Sequence, residues 1–250
     1  MSETVEMIRP GYIPSVAVTF TPKDGGESVT LHRPYEAVPI EELRRHAMGG
    51  DEGSMLELGE RYLFGWGGAE QDYRQSYEYF KQAAEKGVPD ALCHLADFYL
   101  DPERGIVQRD EKEHFRMREL AAKAGSWQAM EKLSRCYEQG VFGAEKNPDQ
   151  AFYWAHQAEH MIRTYWNYYN QPNFVDFLNT CRLLLRAHTR ITFLLSHYCA
   201  NGIGVPQDYE AAMRWLEIGE RFAMAATGLK AIPMFRQQKR ALVQQMRGGK

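Results

Sequence analysis

The stretch LGERYLFGWGGAEQDYRQSYEYFKQAAEKG, residues 58–87, combines a glycine-rich turn with two helical patterns. Its first part sets a leucine, a small residue, a tyrosine and a glycine at fixed spacing, at Leu58, Gly59, Tyr62 and Gly65. Its second part begins at Asp72 and repeats small and aromatic residues three and four positions apart, which places them on one face of a helix. The stretch therefore predicts two helices joined by a turn.

The glycines at residues 65–68 raise the question of a phosphate-binding loop. Such a loop is followed by a lysine and then a serine or threonine, and its geometry is fixed. Neither residue follows Gly68, and the length of the corresponding stretch differs in the other copies described below. We therefore interpret the glycines as the turn of a helical hairpin.

The pattern of residues 58–87 recurs along the chain. Its leucine returns at nearly equal intervals, with one longer interval before the last copy, at Leu58, Leu95, Leu133 and Leu195. The second helix of each copy is predicted to begin after an N-cap residue, at Asp72, Asp110, Asn147 and Asp208. Gly87 and Gly125 lie where a helix C-terminus needs a left-handed residue. A regular period of this kind indicates an array of helix pairs.

The pattern resembles the Sel-one-like repeat, a relative of the tetratricopeptide repeat with the unit Leu-Gly-x-x-Tyr-x-x-Gly-x-Gly-Val, then Asp, Ala, an aromatic pair and Ala-Ala-x-x-Gly. The best matches are residues 58–87 and 195–215, and the resemblance covers about residues 40–225. The second and third copies depart from the pattern in their turns, at residues 101–105 and 140–143. We therefore expect these two repeats to be the ones whose shape deviates from the others. We predict an all-α fold, a right-handed α-solenoid of antiparallel helix pairs with a short N-terminal β-hairpin and a C-terminal capping helix.

Three segments are predicted: an N-terminal arm at 1–38, the repeats at 39–225 with an insertion near 161–188, and a basic capping helix and tail at 226–250. In the arm, two β-rich runs around Asp24-Gly25-Gly26 predict a hairpin that caps the first helices, or else offers a strand edge to a partner. Residues 39–50 predict the second helix of an incomplete leading unit. We predict about four full units after it.

Composition limits the function classes. The chain is 44% hydrophobic and 25% charged with a net charge of -3, so it has no overall attraction to polyanions and we expect no nucleic-acid partner. We find no secretory signal and no apolar run that predicts a membrane span. The four cysteines show no close pairs, which predicts reduced thiols and favours the cytoplasm.

The resemblance implies a non-catalytic adaptor or scaffold, often bacterial, that needs no cofactor or metal and binds a protein or peptide on the curved face of the array. We expect the solvent-facing positions beside the leucines to line that face: Glu57, Glu60, His94, Asp97, Lys132, Arg135 and His197. Their charge changes from acidic to basic along the chain, which is a way to orient a bound peptide. The alternative is that these charges only hydrate the surface.

The insertion carries the aromatic residues Tyr165, Trp166, Tyr168 and Tyr169. We expect the helix to run through about Tyr169, to break at Gln171-Pro172 and to restart after Asn173. Aromatic side chains are enriched in binding hot spots but also pack long helices together. Both a partner contact and a packing role are therefore open for these four residues.

Two alternative functions have sequence features of their own. Residues 156–160 read H-x-x-E-H, which resembles a zinc metallopeptidase motif, although the two histidines align with charged residues of either sign in other repeats. The second alternative is nucleic-acid binding through the C-terminal tail, which has no acidic residue after Phe222. The tail also suits a capping helix with a hydrated basic face, or an acidic partner. No other catalytic motif is present, so we expect no enzyme.

Overall fold

A computed structural model of the protein describes the backbone of residues 15–20, 29–34, 38–169, 177–227 and 233–248. Side chains are described for residues 38–166, 184–225 and 233–247. The described helices are α1 Ile40–Met48, α2 Glu52–Phe64, α3 Tyr73–Glu85, α4 Pro89–Phe98, α5 Glu111–Lys123, α6 Trp127–Gln139, α7 Pro148–Tyr169, α8 Phe177–Asn201, α9 Tyr209–Thr227 and α10 Pro233–Gly248. Within these ranges no helix has both the length and the apolar character to cross a membrane.

Two short strands lie in the N-terminal arm. The strand β1 is Ser15–Phe20 and β2 is Val29–Pro34, and they pair antiparallel with Val18 opposite Leu31. The turn predicted between them and the side chains of both strands lie outside the described residues. The predicted hairpin is therefore not confirmed as a packed part of the fold, and its role as a cap stays a prediction.

The chain divides into two compact units. The first contains Met1–Ala129 and Asn167–Phe177, and the second contains Met130–Trp166 and Leu178–Lys250. In the first unit the core includes Leu43, Leu58, Phe80, Leu95 and Phe98. In the second unit a smaller cluster joins Cys199, Ala212 and Leu216 to Leu242 of α10. All four repeated leucines are buried, at 4% exposure or less, so the repeated pattern is a core pattern.

Helix pairs α2–α3, α4–α5, α6–α7 and α8–α9 form the first to fourth repeats. Each pair closes with the same backbone hydrogen bond, in which the amide of the N-cap residue donates to a carbonyl near the end of the preceding helix. The bonds are Asp72 to Tyr62 at 2.8 Å, Asp110 to Tyr99 at 3.0 Å, Asn147 to Tyr137 at 2.8 Å and Asp208 to Cys199 at 2.8 Å. The second and third repeats therefore close as the others do, in spite of their different turns.

The predicted helix ends are confirmed. Asp72 accepts from the amides of Arg74 and Gln75, and these bonds, the one from Gln75 first, lower the pKa of its carboxyl. The other three predicted N-caps also accept from backbone amides, at Asp110, Asn147 and Asp208. Gly87 and Gly125 have φ of 88° and 104°, the left-handed conformation expected after a helix. The repeats are thus delimited by local capping bonds that the sequence predicts.

The two helices of a repeat approach closely at small residues. A Cβ atom on Gly59 would lie 2.5 Å from the ring of Phe80 in α3, so only glycine fits there. Equivalent positions are joined by a side-chain bond to a carbonyl in three repeats, between Ser76 and Gly59 at 2.8 Å, His114 and Ala96 at 2.8 Å, and Ser134 and Ala151 at 2.7 Å. These bonds fix the register of each pair and thereby the direction in which its outer residues point.

Arg61 holds the glycine turn of the first repeat. Its guanidinium donates to the carbonyls of Gly67 and Val38, both at 2.8 Å, and lies 5.2 Å from the ring centre of Trp66. A Cβ atom on Gly67 would lie 2.9 Å from this guanidinium. The glycine turn thus surrounds an arginine of its own chain. This supports the interpretation of the glycines as the turn of a helical hairpin.

Candidate functional site

The predicted partner-facing residues of the first compact unit lie on α2 and α4, and three of them form what we call the α2–α4 face: Glu60, His94 and Asp97. All three are partly exposed. Glu60 Oε1 lies 3.0 Å from His94 Nε2, and the His94 ring stacks on Phe80 with centres 4.4 Å apart. Asp97 Oδ1 accepts from Arg118 Nη2 at 2.5 Å. The acidic charges of this face therefore already have partners in the chain.

Glu57 does not face solvent, and its prediction as a solvent-facing residue is wrong. The residue is 2% exposed, and its Oε1 accepts from Arg61 Nε at 2.7 Å. The carbonyl of Val38 accepts from Nη2 of the same arginine at 2.8 Å. A residue predicted on the surface is thus part of a buried ion pair, and the arginine of that pair also binds Val38.

The second compact unit carries the basic residues, and we call its surface the α6–α8 face: Lys132, Arg135, Arg190 and His197. All four are exposed. Glu131 accepts two hydrogen bonds from Arg190, at 2.9 and 2.8 Å, and one from Arg135 at 3.3 Å. The bond to Glu131 raises the pKa of the Arg190 guanidinium. One carboxylate between two guanidinium groups leaves this face with net positive charge.

A buried polar network joins α6 to α8 beneath that face. The Ser134 and Tyr198 hydroxyls lie 3.0 Å apart, and Tyr198 donates to Glu138 Oε2 at 3.1 Å. His197, the last predicted site residue, lies 3.8 Å from Glu138 Oε1. Burial raises the pKa of the Tyr198 phenol, so it stays protonated and remains a donor. The network fixes the first helices of the third and fourth repeats side by side.

Two of the four aromatic residues of the insertion, Tyr165 and Trp166, have described side chains, and both pack within the protein. Tyr165 is buried, at 2% exposure, so it is not a surface residue. Trp166 is half-buried, with its ring 4.5 Å from that of Phe222. Tyr168 and Tyr169 lie in the last turn of α7, which ends where predicted, but their side chains are outside the described residues. The predicted break at Gln171-Pro172 and the cap at Asn173 lie there too.

The H-x-x-E-H match does not have the geometry of a metallopeptidase site. His156 and His160 are exposed, as the alignment of repeats predicts, whereas Glu159 is fully buried. Glu159 Oε1 lies 3.1 Å from His188 Nε2 and 2.8 Å from Arg163 Nε. Within the described part of the chain, no group of three or more His, Cys, Asp or Glu side chains is arranged to hold a metal ion.

Sequence reasoning missed the pairs that join different helices. The contact of Glu131 with Arg135 follows from their spacing of one helical turn. Its stronger contact with Arg190 of α8 and the contact of Glu159 with the buried His188 join residues that lie 59 and 29 positions apart in the chain. No local signal could have revealed these two contacts.

The geometry agrees with a family comparison. The model of the Sel1 repeat family matches residues 53–88, 89–126, 127–160 and 192–219, more than half of the chain. Each match covers residues of both helices of one pair, and the unmatched interval before the last match contains the end of α7 and the first part of α8. The resemblance to the Sel-one-like repeat is thereby confirmed.

Solved structures resemble the chain as well. A Sel1 repeat protein from Oxalobacter formigenes superposes with a TM-score of 0.55 at 20% identity, over 84% of this chain and 78% of that one. The protective antigen c5321 of uropathogenic Escherichia coli has a TM-score of 0.44 at 21% identity, over 81% of this chain and 48% of that one. The immunity protein Pa5087 of Pseudomonas aeruginosa has a TM-score of 0.47 at 14% identity, over 82% and 71%. The first likeness shows a shared fold, and we draw no conclusion from the other two.

Proposed function

Because this chain belongs to the Sel1 repeat family, whose members are generally adaptors in protein–protein interactions, we propose that it is a non-catalytic adaptor that binds a protein or peptide through its first helices. The observation that carries the proposal is the family match over four repeats. Arrays of helix pairs offer extended surfaces on which the side chains of successive repeats act together.

The charges of the two faces refine the proposal. On the α2–α4 face, Glu60 and Asp97 are paired with His94 and Arg118, so little negative charge is left for a partner. On the α6–α8 face, Arg135 and Arg190 share one carboxylate, and Lys132 lies beside them. We therefore propose that the α6–α8 face contributes more to partner binding, through carboxylates of the partner.

The experiment is selection of a random peptide library displayed on phage against the protein of residues 1–250. We expect the wild type to enrich peptides that carry Asp or Glu, and the double variant Lys132→Glu, Arg135→Glu to lose them. Both side chains are exposed, so the variant should fold. A matched control is Arg214→Glu, Arg221→Glu, which makes the same charge change at exposed positions of the second helix α9.

The proposed function is wrong if the wild type enriches no peptides. The assignment to the α6–α8 face is wrong if the Lys132 and Arg135 variant enriches the same peptides as the wild type. Loss of enrichment by the α9 control as well would show a general charge effect, and it would also contradict the assigned face.

A further inference from the structure

The helix α10 has two different faces. Its inner face carries Phe235, which is fully buried, and Leu242, which is 5% exposed. Phe235 packs edge-on against Phe193 of α8, with ring centres 4.9 Å apart. Gly219 of α9 admits this contact, since a Cβ there would lie 2.7 Å from the Phe235 ring. The inner face therefore belongs to the core of the second compact unit.

The outer face of α10 is the surface opposite these contacts, and it lines a shallow concavity: Pro233, Arg236, Gln237, Arg240, Ala241 and Gln244. All six residues are exposed, and Arg236 and Arg240 follow one another by one helical turn on that surface. Arg247 continues the face toward the end of the helix and is exposed. The face thus presents a row of guanidinium groups.

The arginines of this face lack the counter-ion that Lys239 of the same helix has. The inner-side Lys239 binds Glu220 of α9, with Nζ and Oε2 2.7 Å apart. Within the part of the chain that the structure describes, no carboxylate pairs with Arg236, Arg240 or Arg247. Glu220 is also the last acidic residue of the sequence, although the whole chain has a net charge of -3. The positive charge of the outer face is therefore locally uncompensated.

A terminal helix of a repeat array needs only a polar outer face to stay soluble, and a mixture of both charges serves that purpose best. The outer face of α10 instead combines arginine and glutamine with no acid. We propose that this face is a docking surface for an acidic segment of a partner protein. Two guanidinium groups one helical turn apart match two carboxylates with the same spacing, as in a helix with glutamates four residues apart.

Other occupants fit this surface less well. A second copy of α10 would set arginine against arginine, which is repulsive. Single-stranded nucleic acid is held by aromatic platforms as well as positive charge, and the only aromatic side chain of α10, Phe235, is turned into the core. Charge complementarity therefore favours an acidic protein segment, and it assigns α10 a role separate from that of the α6–α8 face.

The test uses the protein of residues 1–250 and a fluorescein-labelled, alanine-based helical peptide with glutamates four residues apart. Fluorescence anisotropy at low ionic strength should show binding that weakens as salt is added. We expect the double variant Arg236→Glu, Arg240→Glu to bind at least about ten-fold more weakly, a change of about 1.4 kcal/mol. The control Arg45→Glu, Arg74→Glu changes two exposed arginines in the first compact unit and should bind as the wild type does.

Three results would overturn the docking surface: no binding by the wild type, equal binding by the Arg236 and Arg240 variant, or tighter binding of an oligouridylate with the same number of charges. Circular dichroism checks that the variant is folded, and the neutral variant Arg236→Gln, Arg240→Gln replaces it if it is not. Lys132→Glu, Arg135→Glu should leave this binding unchanged, which separates the outer face of α10 from the proposed function.

Discussion

At the scale of single residues, the molecule departs from its repeat pattern at a few identifiable positions. Phe142 is the only non-glycine residue of the described chain with a positive φ, at 54°. Its counterparts in the first and fourth repeats are Gly67 and Gly204, with φ of 61° and 69°. The third repeat therefore places a bulky side chain in a conformation that glycine adopts without strain.

Replacement of Phe142 should separate backbone strain from side-chain packing. Phe142→Ala keeps the Cβ atom and the strain but removes the ring, whereas Phe142→Gly removes both. We expect the glycine variant to have a free energy of unfolding about 1 kcal/mol higher than the alanine variant, because a left-handed residue with a Cβ costs roughly 1–2 kcal/mol. Urea denaturation of the two variants measures the difference. If the glycine variant is less stable than the alanine variant, the backbone at Phe142 is not strained.

Asp90 is a buried acid at the start of α4. Its Oδ1 accepts from the Ser126 hydroxyl at 2.5 Å, and burial raises its pKa to about 6. Because the folded state holds this proton more tightly than the unfolded state, the group stabilises the fold below about pH 4. This contribution is lost as the pH rises through about 6.

We expect Asp90→Asn to be as stable as the wild type near pH 4 and more stable at pH 7, by up to about 3 kcal/mol, since two pKa units correspond to that energy. Asparagine keeps an oxygen that accepts from Ser126 but does not ionise. The measurement is chemical denaturation across this pH range, with Glu78→Gln at an exposed position as control. Parallel curves for Asp90→Asn and the wild type would show that Asp90 carries no raised pKa.

At the scale of helices and turns, the same local devices recur while the side-chain pairs between helices do not. Each repeat closes through an amide of the N-cap residue. The charged pairs differ. The first repeat buries both Glu57 and Arg61, whereas the pair that joins the third and fourth repeats consists of the buried Glu131 and the exposed Arg190. Backbone bonds therefore define the common element, and side chains make each repeat distinct.

The burial of Glu57 can be tested against its neighbour on the same helix. Glu57→Gln leaves the Arg61 guanidinium in the core without its counter-ion, and we expect a loss of about 3–5 kcal/mol in the free energy of unfolding. Glu60→Gln breaks a partly exposed contact with His94 and should cost less than about 1 kcal/mol. Urea denaturation compares the two. Equal, small losses would mean that Glu57 is not buried with its arginine.

At the scale of the whole molecule, four repeats are distributed over two compact units, with a leading helix and a terminal helix outside the repeats. Glu57 of the first repeat is buried, while Lys132, at the corresponding position of the third repeat, is exposed. Residues that are equivalent in the repeat pattern thus differ in environment. A candidate site taken from the repeat pattern alone therefore includes a buried residue, Glu57, as well as an exposed one, Lys132.

The sequence by itself determined the helix pairs, their caps and the repeated leucines, because these depend on spacings of three and four residues and on backbone bonds within a turn. It therefore predicted the repeat family and the exposure of Lys132, Arg135 and His197 to solvent. Only the tertiary structure decided that Glu57 and Tyr165 are buried, that Glu131 pairs with Arg190, and that the arginines of α10 face away from the core. These facts depend on contacts between residues far apart in the chain, and local spacing does not specify such contacts.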